Sequence, residues 1–171
     1  MSADLTPVIA AATRWLLTAF PPSPGAFSLA LAEAQGRQAT TLAAALRYPS
    51  ALDAELLELL GPGGSDRLDW LAGAEHDSET ADTADTAWRT WVDETIVSWA
   101  ACFLADPVLA DKAHQLADSS LPGEVGRLTQ PGSHEYDAAP LLRHPDLLEP
   151  VAALHREDLL ALLENQNVPL R

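Results

Sequence analysis

The sequence predicts an all-α fold: a compact bundle of about six to eight helices with one long loop near 118–139. Three observations carry this. Ala and Leu dominate the apolar 47% of the chain while β-branched residues are scarce, a helix-forming bias. Apolar positions recur every three or four residues through most segments, and none alternates as a half-buried strand does. Helix-capping and helix-breaking residues punctuate these runs at plausible helix lengths. The 171 residues fit a single domain, 1–171, long enough to bury roughly 70% of its unfolded surface without a disulfide or metal.

The first helix is predicted over about Pro7 to Phe20, capped by Thr6 with Pro7 at the first helical position. Val8, Ile9, Ala12, Trp15, Leu16, Ala19 and Phe20 share one side, opposite Arg14 and Thr18. The run Pro21-Pro22-Ser23-Pro24-Gly25 ends it. Phe27 to Leu46 reads as an Ala-rich helix with a break at Gly36. Ser50 and Asp53 have capping-box spacing for a helix over Ala51 to Leu60, where Leu52, Leu56, Leu59 and Leu60 share a face expected to be buried. Gly61-Pro62-Gly63-Gly64 closes it, and a short helix over Asp66 to Ala72 follows.

Glu75 to Asp85 reads as an exposed acidic connector. Beyond it, Asp82 to Leu104 reads as one helix with Trp88, Trp91, Val92, Thr95, Ile96, Trp99, Cys102 and Phe103 on an arc of about 140°. Asp106-Pro107 starts another helix, to Leu116. Residues 118–139 show no period and are punctuated by Pro and Gly. Pro140 to His144 reads as a single turn, and the last helix as Pro150 to Glu164.

Charge narrows the function classes. The chain holds 25 acidic and 10 basic residues, a formal net charge of -15. The scattered cations form no basic patch, which argues against direct nucleic-acid binding or an anionic membrane surface. A basic protein partner suits the sign, and mimicry of nucleic-acid charge by the acidic run is a lesser expectation. The first residues carry no basic leader and no apolar run reaches about 20 residues, so a cytoplasmic location with no membrane span is expected. One Cys excludes an intramolecular disulfide and a cysteine zinc site. No nucleotide-binding loop, nucleophile elbow or zincin motif occurs. No cofactor and no metal is therefore expected.

Three constellations remain. Trp88, Trp91 and Trp99 form an aromatic stripe, either a partner-binding face or the core of a central helix. His155 and Asp158 are three residues apart within the apolar face of the last helix, a base and its orienter if catalytic, a hydrogen-bonded pair if structural. His134, Glu135, Tyr136 and Asp137 concentrate proton-active side chains in the long loop. The leading expectation is a non-enzymatic protein-interaction domain, such as a dedicated chaperone, an adaptor or an acidic inhibitor, using the aromatic face and the acidic surface. The alternative is a small enzyme or ligand-binding bundle, its pocket lying between the last helix and the 118–139 loop, with His155 and Asp158 as catalytic residues.

Overall fold

The computed structural model describes residues 4–61, 63–73, 87–117 and 125–165. Among them are ten α-helices, eight of seven residues or longer, and no strand. The all-α class and bundle architecture read from the sequence are those observed. The acidic run from Glu75 to Asp85, the start of the Trp-bearing segment at 82–86, residues 118–124 of the long loop and the last six residues lie outside the described residues.

Helix α1 (Thr6–Ala19) buries Val8, Ala12, Trp15 and Leu16, the side its periodicity selects. Its N-cap is Leu5 rather than Thr6; the Asp4 carboxylate accepts the Thr6 amide at 3.0 Å instead. Helix α2 (Ala26–Arg47) runs unbroken through Gly36. Gly36 lies against α1, where Thr13 and Thr40 share a hydroxyl hydrogen bond of 3.0 Å. Packing of the two helices offsets the roughly 1 kcal/mol that a helical Gly costs.

Helices α3 (Ala51–Leu60) and α4 (Asp66–Ala72) have the predicted bounds. Ser50 caps α3, accepting from the Asp53 amide at 3.3 Å while its hydroxyl donates to the Asp53 carboxylate at 2.5 Å. The predicted burial of α3 is overturned. Leu52, Leu56, Leu59 and Leu60 are 73, 49, 80 and 80% exposed; the buried positions are Ala54 and Leu57. Helix α3 packs extensively against no other helix among the described residues. Periodicity shows that a helix has an apolar side, not that a neighbour covers it.

The expected helix from Asp82 to Leu104 is also divided. Ala87–Trp91 is a short 3₁₀ helix, and α5 (Glu94–Ala105) begins afresh after Asp93. The Asp93 side chain caps α5, accepting from the Thr95 amide at 2.9 Å. Every residue from Ile96 to Leu104 is buried, so α5 is covered all round, as expected of the central helix of a bundle. Helix α2 packs along it on one side, with α6 (Pro107–Ala117) and α9 (Pro145–Ala152) beside it. The Asp106 carboxylate caps α6 through the Val108 and Leu109 amides at 2.9 and 3.1 Å.

Residues 125–139 are not an open loop. They hold α7 (Gly126–Thr129) and α8 (Ser133–Ala138), and α8 packs on α2. The turn at 140–143 is observed as predicted. The single last helix is replaced by two. Helix α9 starts at Pro145 and carries Pro150 inside it; the chain breaks after Ala152, and α10 (Arg156–Asn165) follows. Ser98 of α5 sustains the break: its hydroxyl donates to the Ala152 carbonyl at 3.1 Å and accepts from the His155 amide at 3.0 Å. These are backbone groups that a continuous helix would have paired internally.

Among the described residues, no helix is long and apolar enough to cross a membrane.

Candidate functional site

The break between α9 and α10 decides the position of His155. It sits just before α10, where its carbonyl accepts from the Leu159 amide at 3.2 Å, rather than on an apolar helix face. Its backbone is fixed on both sides. Ser98 holds the amide, and the carbonyl also accepts from the Trp99 indole N–H at 2.9 Å. The ring is thereby aimed at the N-terminus of α5, and Nε2 lies 2.8 Å from Glu94 Oε1. Nδ1 faces Asp158 Oδ2 at 3.4 Å, beyond the usual 2.7–3.2 Å range for such a bond. Sequence reasoning named Asp158 and missed Glu94, the closer carboxylate. Glu94 is 61 residues away in the chain, and no local spacing rule reaches that far. It is in turn 3.5 Å from the Arg67 guanidinium.

His155 and Asp158 line a partly open cleft of about 500 Å³. The other wall is the corner between α2 and α3, with Leu46, Arg47, Pro49 and Asp53, and Trp99, Thr95 and Leu162 complete the lining. This location corrects the expectation of a pocket against the 118–139 segment. A smaller hollow of about 240 Å³, bounded by Tyr48, Leu56, Leu57, Leu60 and Asp93, shares Arg47 and Asp53 with the cleft. Tyr48 donates its hydroxyl to the Asp93 carboxylate, tying the end of α2 to the cap of α5. Burial, reinforced by that bond and by the negative charge of Asp93, pushes the phenol above its ordinary value.

The aromatic stripe does not form one face. Trp88 and Trp91 belong to the 3₁₀ turn and Trp99 to α5, with the Asp93 cap between them. Trp99 is buried and commits its indole N–H to His155. Trp88 is half-buried, with the Arg14 and Arg89 guanidiniums 5.9 and 5.4 Å from its ring centroid, a cation–π distance. Of the three, Trp91 alone is exposed, at 44%.

The tetrad of 134–137 is brought into α8 rather than to His155. His134 stands edge-on to Phe27, with ring centroids 6.5 Å apart. Glu135 pairs with Arg127 at 2.5 Å and accepts the Gly132 amide at 2.9 Å; these partners hold its carboxyl below the usual range despite the opposing desolvation. Tyr136 lies beneath the Arg143 guanidinium at 4.9 Å. The Asp137 carbonyl accepts the Ser23 hydroxyl at 3.0 Å. These contacts dock α8 onto the bundle.

Chemically, the cleft presents carboxylates from α3 and α10, an imidazole paired with Glu94, and apolar walls. Thr95 supplies the only hydroxyl of its lining. Cys102 lies elsewhere, buried, its thiol 3.4 Å from the Ala152 carbonyl. Burial pushes that thiol up, against the pull of the nearby Arg156, which disfavours the reactive thiolate. Among the described residues no three His, Cys, Asp or Glu side chains are grouped to hold a metal ion. Compared with protein-family models, with curated proteins and with solved structures, the chain matches none.

Proposed function

We propose that this protein is a non-enzymatic protein-interaction module that binds a basic partner through the exposed leucine face of α3. The observation that carries the reading is four leucines on a ten-residue helix, 49 to 80% exposed to solvent. Scattered apolar residues on a surface are ordinary, whereas a contiguous set on one helix face is the mark of a docking surface. Glu55 and Glu58 stand exposed on the same helix. The net charge of -15 speeds encounter with a cationic partner and makes it salt-sensitive. This reading moves the surface from the Trp-bearing segment to α3, because Trp99 is enclosed. The enzymatic alternative has the His155–Glu94 pair in its favour, yet the cleft brings it no strong nucleophile.

Full-length protein carrying Leu52→Gln, Leu59→Gln and Leu60→Gln tests this. Gln matches Leu closely in helix propensity, and at exposed sites each change shifts stability by about 0.5 kcal/mol or less. Affinity purification from the native host is run with both proteins at low and at high salt. The expected catch is a basic protein retained by the native chain at low salt, released at high salt and absent from the variant. A catch that is the same for both proteins overturns the proposal.

A further inference from the structure

We infer that the cleft between the α2–α3 corner and α10 binds a guanidinium or ammonium group carried on an apolar stem. The inference stands on the lining of the cleft and is independent of the leucine face of α3.

Its volume of about 500 Å³ falls among small-ligand sites. Two carboxylates line it, Asp53 from α3 and Asp158 from α10; Glu94 holds the His155 ring from outside the lining. Asp158 has its side chain 74% exposed and faces the His155 Nδ1 at 3.4 Å. Its oxygens therefore retain acceptor capacity for a charged donor. Asp53 takes the Ser50 hydroxyl on one oxygen, Oδ2.

Arg47 also lines the cleft, but its guanidinium is already engaged, lying over the Tyr48 ring at 5.3 Å and 3.9 Å from Asp93. The Trp99 indole N–H is spent on the His155 carbonyl, so it offers no donor to an anion. Leu46, Leu162 and the Trp99 ring supply apolar contact for a stem. An alkyl cation meets the Asp53 and Asp158 acceptors and lays its stem on the apolar wall.

Butylguanidinium titrated into the full-length protein tests the chemistry, read by NMR at the Trp99 indole N–H and the His155 ring protons. Saturable shifts at both are expected in the millimolar range, with none from butyramide or butyrate. Asp53→Asn and Asp158→Asn each weaken binding about three- to fivefold, the effect of losing one solvent-screened ion pair. Both substitutions preserve side-chain shape, and amide spectra establish that each variant is folded. Shifts that do not saturate, that butyramide reproduces, or that both variants leave unchanged overturn the inference. A second arm separates the two sources of such a group, using an acetylated Leu-Leu-Arg-Leu-Leu amide. Tighter binding than butylguanidinium, lost with the α3 Leu→Gln changes, assigns the group to a protein side chain. Binding no tighter than butylguanidinium assigns it to a free amine or guanidine.

Discussion

Tyr48 and Cys102 are neutral side chains whose charged forms the fold disfavours. Burial raises both, Tyr48 from an ordinary 10.0 and Cys102 from an ordinary 9.0, and the Asp93 carboxylate adds to the shift of Tyr48. The sign follows from linkage. A raised native value means the unfolded chain loses the proton first as pH increases. The stabilisation is complete below the ordinary value and is lost as pH climbs through the native one. Denaturant midpoints should therefore decline as pH passes about 9, where the Cys102 contribution starts to fade, and decline further past about 10 with Tyr48. Cys102→Ala removes the first part of the decline and Tyr48→Phe flattens the second. A midpoint that declines identically in all three proteins shows that other groups control it. Neither partner was legible in the sequence. Tyr48 meets Asp93 across 45 residues, and Cys102 could be placed on an apolar stripe but not beside Arg156. The same limit hid Glu94 from His155.

Helices were read correctly where local chemistry marks their ends and misread where it competes with periodicity. Ser50 and the Gly-rich run after Leu60 fix the bounds of α3. Asp93 is an equally good cap, but the apolar repeat from Trp88 to Phe103 carries past it on another side, so the repeat hid the break. In the last segment local rules make Pro150 a helix start, whereas it lies in the body of α9. The actual break needs Ser98 from another helix, and no local rule contains that. Ser98→Ala should cost about 1–2 kcal/mol, because it leaves the part-buried His155 amide without its partner and the Ala152 carbonyl with only the weak Cys102 thiol donor, and should weaken the His155–Glu94 pair. Denaturation and the His155 ring signals report the two effects, and an unchanged ring environment refutes the positioning role. Gly36 gives the opposite sign. An added Cβ would meet Thr13 Cγ2 at 3.5 Å, an ordinary contact, in a helix that runs through it. Gly36→Ala should stabilise by about 0.5–1 kcal/mol in equilibrium unfolding. A loss of stability would mean that α1 and α2 cannot yield even that much.

Over the whole molecule, acidity is the property most directly legible in the sequence, and its consequence is a competition between two electrostatic contributions. Among the described residues, six arginines stand in ion pairs with carboxylates: Arg37, Arg47, Arg67, Arg89, Arg127 and Arg156. Such pairs at a surface contribute about 0–1 kcal/mol each and are screened by salt. The acids in excess repel one another over longer distances, which opposes the compact state. The Debye length falls from about 10 Å at 0.1 M ionic strength to about 3 Å at 1 M, so added salt removes repulsion between separated carboxylates before it removes contacts under 4 Å. With a net charge of -15, repulsion should win. The melting temperature of the isolated protein should therefore rise by a few degrees with sodium chloride, while capture of a basic partner weakens over the same range. Scanning calorimetry across a salt series, with potassium chloride as a check on ion identity, measures the first effect. A melting temperature that falls steadily with either salt means that the ion pairs outweigh the repulsion. The acidic surface would then stabilise the fold, and its excess charge would no longer imply a cationic partner.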